Sequence, residues 1–289
     1  MKKFKAAVCG LLVLATTFCL FACGEKRENE VEKIELEAGK TAIYIDHHER
    51  TVSGDAYIPE TKSFPIVILS HGYNGYKDDF KKEAELFMEN GIGALTLTFC
   101  GSGERDPSGF GTKNMTLFTE KEDLLAVMDY AKRVKGFDGN MFLLGGSQGG
   151  MISAMAAEER PNNLKGMILL YPGLSIPDDW NNRNFPSSTY LTYESIPETI
   201  DWWGVTLGRD FVWTLRDLDI YKNMADFTKP VLLMHDPSDG LVPFSYSQRA
   251  AETYPHAELI SYPGKGHGFT PTSIPDAQSR ILTFVNDNL

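Results

Sequence analysis

Residues 141–158 join an apolar run, a cluster of glycines around one serine, and a stretch of small and apolar residues with no breaker. Residues 141–144 are a short apolar run of buried-strand type, ended by glycine, and residues 148–158 can continue only as a helix. This is one strand–turn–helix unit, and the same alternation recurs along the chain. Apolar runs at 65–69, 94–99, 166–171, 231–234 and 258–262 are interleaved with helical patterns at 78–89, 119–134, 244–254 and 275–288. Thr119-Glu120-Lys121-Glu122 has the form of a capping box at the start of one of these helices. Strands that alternate with helices require a mostly parallel central sheet covered by helices on both faces, an α/β architecture. Two β-like runs at 42–45 and 51–58 predict a leading antiparallel pair.

Gly145-Gly146-Ser147-Gln148-Gly149 lies at the turn of the central unit. It lacks the Gly-Lys-Ser/Thr ending of a phosphate-binding loop, and no Gly-x-Gly-x-x-Gly fingerprint fits the segment. It does fit Gly-x-Ser-x-Gly, in which a sharp, strained turn exposes the serine hydroxyl. Gly145 and Gly149 make room for that turn, Gly150 lets the helix start close to the sheet, and the motif leaves position 146 free.

A serine nucleophile needs a base and an acid that orients the base. Of six histidines, His267 sits in Gly264-Lys265-Gly266-His267-Gly268 just beyond a strand, where an imidazole can reach a neighbouring strand end. His256 reads as a turn residue, His47 and His48 lie in a polar turn, and His235 ends a strand. Asp239, in His235-Asp236-Pro237-Ser238-Asp239-Gly240, is the better placed acid, with Asp236 as the alternative. The backbone N–H groups of Gln148 and Tyr73 are the candidate donors to an oxyanion, and His71 braces the loop that carries Tyr73.

Residues 173–227 break the alternation. They hold Trp180, Trp202, Trp203 and Trp213 with Phe185, Tyr190, Tyr193 and Phe211, and they are too long for a simple connection. An inserted aromatic cap is the expectation; a helical excursion packing its own small core is compatible with it.

With these pieces in order, the chain from about residue 41 resembles the α/β-hydrolase superfamily. It is most similar to the serine-aminopeptidase-type branch that includes bacterial cinnamoyl and feruloyl esterases. The resemblance rests on His71-Gly72-Tyr73, Gly145-Gly146-Ser147-Gln148-Gly149, Asp239 and Gly266-His267-Gly268 together. Two positions depart from the branch: Gly146 replaces the usual His before the serine, and Asp236 the usual Gly after the strand-ending His. The resemblance implies an esterase working through an acyl-enzyme on Ser147, with His267 as base, Asp239 as orienting acid and Tyr73 and Gln148 N–H groups as the oxyanion hole. It implies no metal or organic cofactor. A peptidase on the same scaffold is the alternative, and a non-catalytic surface protein the third reading.

The first 22 residues have the form of an export signal: Lys2, Lys3 and Lys5, then 17 uncharged residues ending in Leu20-Phe21-Ala22, with Cys23 next. Seventeen is short for a membrane span. The ending resembles a lipobox with Cys23 as the lipidated residue, which predicts a bacterial cell-envelope lipoprotein held at the membrane by its N-terminus, with residues 23–40 as a solvated tether. Loss of the three lysines takes the formal charge from −11 to −14. That balance disfavours nucleic acid as a partner.

Overall fold

The computed structural model describes residues 32–184 and 192–289. Phe185, Tyr190, the export signal and Cys23 lie outside the described residues. No helix among the described residues is long and apolar enough to cross a membrane.

The leading pair forms as expected: β1 (Gly39–His47) and β2 (Arg50–Ile58) make an antiparallel hairpin with His47 opposite Arg50. The other sheet strands are β3 (Phe64–Ser70), β4 (Gly93–Thr98), β5 (Phe137–Gly146), β6 (Gly166–Leu170), β9 (Val231–His235) and β10 (Ala257–Ser261). Between β6 and β9 lies a separate small hairpin, β7 (Thr199–Trp202) with β8 (Val205–Gly208). The eight strands of the main sheet run in the order β1-β2-β4-β3-β5-β6-β9-β10, and all pairs from β4 to β10 are parallel.

The continuous apolar runs are explained by burial on both faces. Ile66 and Ile68, Met141 and Leu143, and Val231 and Leu233 join a core on one face. Their neighbours Val67 and Leu69, Phe142 and Leu144, and Leu232 and Met234 join a core on the other. That alternation is the two-residue period of a strand, with each face apolar because each is covered. On the first face lie α2 (Leu117–Ala131), α3 (Gln148–Glu159) and α6 (Phe244–Thr253). On the second lie α1 (Lys81–Glu89) and α7 (Ile274–Asp287), whose Phe87 and Ile281 are fully buried. The fold is an α/β-hydrolase fold.

Residues 173–227 contain, besides the β7–β8 hairpin, the single turn α4 (Ile176–Asp178) and the short α5 (Arg209–Leu215). Trp180 is the centre of their packing, 4.8 Å from the ring of Trp202 and 5.3 Å from that of Phe211.

Two expectations need correction. Residues 33–40 are not a solvated tether: Ile34 bridges Val134, donating to Arg133 O and accepting from Lys135 N at 2.8 Å each. The folded unit therefore begins near residue 33 instead of 41, because this segment finds backbone partners just after α2. The capping box lies at Thr116 and Thr119, one turn earlier than Thr119-Glu120-Lys121-Glu122, with each side chain bonded to the other's backbone N–H.

Candidate active site

Four loops at the C-terminal edge of the parallel sheet converge here, those following β3, β5, β9 and β10. Ligands of open α/β sheets bind at this edge. Ser147, between β5 and α3, has φ 52° and ψ −123°. A positive φ is costly for a residue with a side chain and persists only where its surroundings impose it. Here Gly145 and Gly149 impose it. A Cβ on Gly145 would overlap the Gly149 carbonyl, and one on Gly149 would overlap the Ser70 and His71 carbonyls. The β5 end, the α3 start and the β3 end thus close to backbone contact. Gly146, the position the motif leaves free, has its own reason: a Cβ there would lie 2.6 Å from the Phe80 ring.

His267 Nε2 is 2.9 Å from Ser147 Oγ, and His267 Nδ1 is 2.6 Å from Asp239 Oδ2. Asp239 Oδ1 accepts from the N–H groups of Leu241 (2.8 Å) and Val242 (3.0 Å). Burial alone would raise the Asp239 pKa. The hydrogen bonds from His267, Val242 and Leu241 outweigh it and hold the carboxyl below its usual range. Tyr171, which leaves β6 with φ 37°, packs its ring edge-on against His267 at 4.8 Å.

Asp236, the alternative acid, is not in that line. It is fully buried and joins two loops: its oxygens accept from Ser238 N–H, from the Ser238 hydroxyl, and from Lys265 and Gly266 N–H at 2.7 and 2.6 Å. Those donors overcome its burial and keep it ionised far below the usual carboxylate range. Asp236 thereby fastens the His267 loop to the Asp239 loop.

The loop after β3 passes over the serine. A Cβ on Gly72 would lie 3.1 Å from Ser147 Cβ, and the next residue, Tyr73, lines the same pocket as Ser147. His71 braces this loop, bonding Gly72 O through Nδ1 at 2.7 Å and accepting Phe99 N–H at Nε2 (3.1 Å). Its burial lowers its pKa to about 4, so the ring is neutral. Gln148 is the first residue of α3, where an N–H has no acceptor within the helix and the helix dipole favours negative charge. Gly173 keeps the approach to it open, since a Cβ there would lie 3.1 Å from Gln148 N.

The Gln148 side chain points away, donating to Glu120 Oε2 at 2.6 Å. Glu120 is buried on α2, and burial pushes its pKa up to about 8, with the Gln148 bond opposing. Sequence reasoning missed Glu120, Tyr171 and Gly173, each of which is placed by a contact far away along the chain.

Above the serine, an aromatic pocket is lined by Tyr73, Trp180, Trp202, Trp203 and Phe211, with Asp179 also at its wall. The Tyr73 hydroxyl donates to Trp202 O at 2.8 Å, tying the loop after β3 to β7. Trp213 stands apart, 39% exposed and edge-on to Tyr193. As for metals, donor atoms of His47, His48 and Glu122 lie within 4.8 Å of one another on the β1–β2 hairpin and α2, but Glu122 already pairs with Arg50 at 3.1 Å.

This fold, with a serine at the strained turn after its central strand, defines the class, and the comparisons with known proteins agree. The chain belongs to the family described as serine aminopeptidase, S33, whose model matches residues 61–219, within the α/β-hydrolase superfamily. The bifunctional esterase/perhydrolase DCH of Acinetobacter calcoaceticus is 23% identical over 260 residues, which cover 76% of this chain and 91% of that protein. Est1E from Butyrivibrio proteoclasticus, solved with ferulic acid bound, superimposes with a TM-score of 0.76 at 25% identity, covering 86% of this chain and 99% of that one. The esterase EaEST from Exiguobacterium antarcticum, at 17% identity and TM-score 0.62, covers 85% of this chain and all of its own and shares the fold.

Proposed function

We propose that the protein is a serine-dependent hydrolase of carboxylic esters that works through an acyl-enzyme intermediate. The observation that carries this reading is the continuous line from Ser147 Oγ through His267 to Asp239, at 2.9 and 2.6 Å. Ser147 Oγ attacks the ester carbonyl as His267 Nε2 takes its proton. Asp239 holds the ring with Nδ1–H towards itself and balances the imidazolium charge. The tetrahedral oxyanion is bound by the N–H groups of Gln148 and Tyr73, each such donor contributing about 10²–10³ in rate. His267 returns the proton to the leaving alkoxide, the C–O bond breaks, and the alcohol departs. Water, deprotonated by His267, then attacks the acyl-enzyme and releases the acid and Ser147.

The substrates are apolar or aromatic esters, hydroxycinnamoyl esters among them. The pocket walls of Trp180, Trp202 and Phe211 support this, as does the ferulic acid bound to Est1E. The family description favours a second reading, a peptidase on the same scaffold. A matched panel of aryl and acetyl esters and aminoacyl amides separates them. Aryl-ester turnover well above amide turnover is the expected result, and preferential cleavage of the amides overturns it.

We further propose that the chain is exported and anchored through lipid on Cys23. Incorporation of labelled fatty acid, abolished by Cys23→Ala, is the expected outcome, and unlabelled full-length protein in its native host contradicts it.

A further inference from the structure

His235, the last residue of β9, is fully buried and takes no part in the mechanism above. Its Nε2 is 3.0 Å from Asp239 Oδ2, the same oxygen that His267 Nδ1 reaches at 2.6 Å. Its Nδ1 is 2.8 Å from Ser247 Oγ, on α6, which is also fully buried. The proton positions follow from chemistry. Asp239 is ionised and can only accept, so Nε2 of His235 carries hydrogen. Burial lowers the His235 pKa and keeps the ring neutral, so Nδ1 offers a lone pair and the Ser247 hydroxyl donates to it. The result is one hydrogen-bonded line, Ser247–His235–Asp239–His267–Ser147, in which a single carboxylate oxygen is shared by two imidazoles.

We infer that His235, its hydrogen held on Nε2 by Asp239 and its Nδ1 lone pair met by the Ser247 hydroxyl, is a positioning residue that acts on the His267 base by sharing Oδ2 of Asp239. Asp239 does not need His235 for orientation alone, because Leu241 and Val242 N–H groups already hold Oδ1. What the second imidazole changes is the charge left on Oδ2 for His267. A donor on that oxygen disperses its negative charge, so the Nδ1–H···Oδ2 bond is weaker and imidazolium is less favoured than with His267 as sole donor. The other groups around this line stay constant in the comparison. Asp236 and the Lys265 backbone are fixed on each other in the two loops, and the Tyr171 ring lies on His267. On α6, Phe244 meets His235 edge-on at 5.5 Å, and Arg249 lies over the Tyr221 ring.

The inference rests on reading His267 as the base, but its first test reads a proton and not turnover. In full-length protein, the ¹H NMR resonance of His267 Nδ1–H is expected to move further downfield in His235→Ala, where Asp239 Oδ2 has lost its second donor. It is expected to return towards the wild-type position in His235→Gln, whose amide can restore that donor. The second readout is the rate of fluorophosphonate attack by Ser147 against pH. Its acidic limb is expected to rise by about half a unit in His235→Ala and to stay near wild type in His235→Gln. Should His235→Ala not fold, His235→Leu, which fills the site without offering a donor, carries the test. Both readouts are expected to move in the same direction as in His235→Ala. A folded His235→Ala or His235→Leu protein with an unmoved resonance overturns the inference, whatever the enzyme's activity. A moved resonance in protein that the fluorophosphonate does not label upholds the shared oxygen and sinks the proposed function instead.

Discussion

Gly146 illustrates how a residue can be required for a reason no local motif contains. The turn leaves its position free, but the Phe80 ring fills the space a side chain would use. Gly146→Ala is therefore expected to destabilise the protein by about 1–3 kcal/mol, the cost of overpacking. Urea unfolding of that variant and of Gly146→Ala with Phe80→Leu should show the second change recovering most of the loss. Glu120 was hidden in the same way. By sequence it is one of several acids at the start of a helix, and only its contact with Gln148, on a different helix, distinguishes it. Its buried carboxyl has a pKa of about 8, against an ordinary value of 4.5. Below pH 4.5 it is protonated in both folded and unfolded chains. As pH rises towards 8 the unfolded chain releases the proton first, so stability falls by up to about 1.4 kcal/mol per pH unit. Glu120→Gln removes that slope. Its stability relative to wild type should increase from pH 5 to pH 8 in denaturant unfolding, and a pH-independent difference contradicts the assignment.

At the scale of elements, the parallel strands and their helices were legible because each apolar run and each 3.6-residue pattern is a local signal. The placement of Ser147, Asp239 and His267 was legible for the same reason, since each follows a recognisable strand. The capping box was misplaced because Thr116 and Thr119 both suit an N-cap, and only the backbone geometry distinguishes them. His235 read as a mere strand end because its partners, Asp239 and Ser247, meet only when the β9 loop folds back against α6. The β7–β8 hairpin is joined to the loop after β3 through the Tyr73 hydroxyl and Trp202 O. Tyr73→Phe removes that bond and leaves the Tyr73 backbone N–H intact. One neutral hydrogen bond corresponds to about 0.5–1.5 kcal/mol. Steady-state kinetics should show KM for aryl esters rising about two- to tenfold with kcat nearly unchanged. A large fall in kcat with KM constant would place the hydroxyl in the chemistry instead of the pocket wall.

For the whole molecule, the folded unit starts with the Ile34 bridge and not at residue 41. A chain beginning at residue 33 should unfold at the same denaturant concentration as one beginning at residue 24, while one beginning at residue 41 should unfold earlier. Equal midpoints for all three would return residues 33–40 to the role of a tether. The sheet, the convergent loops and the aromatic pocket together serve one proposed event, the attack of Ser147 on an acyl carbon. Intact-mass measurement after exposure to a fluorophosphonate tests that most directly. One adduct per chain is expected, mapped to Ser147, absent from Ser147→Ala, and strongly slowed in His267→Ala. A well-folded wild-type protein that stays unlabelled, or whose adduct maps to another residue, contradicts it.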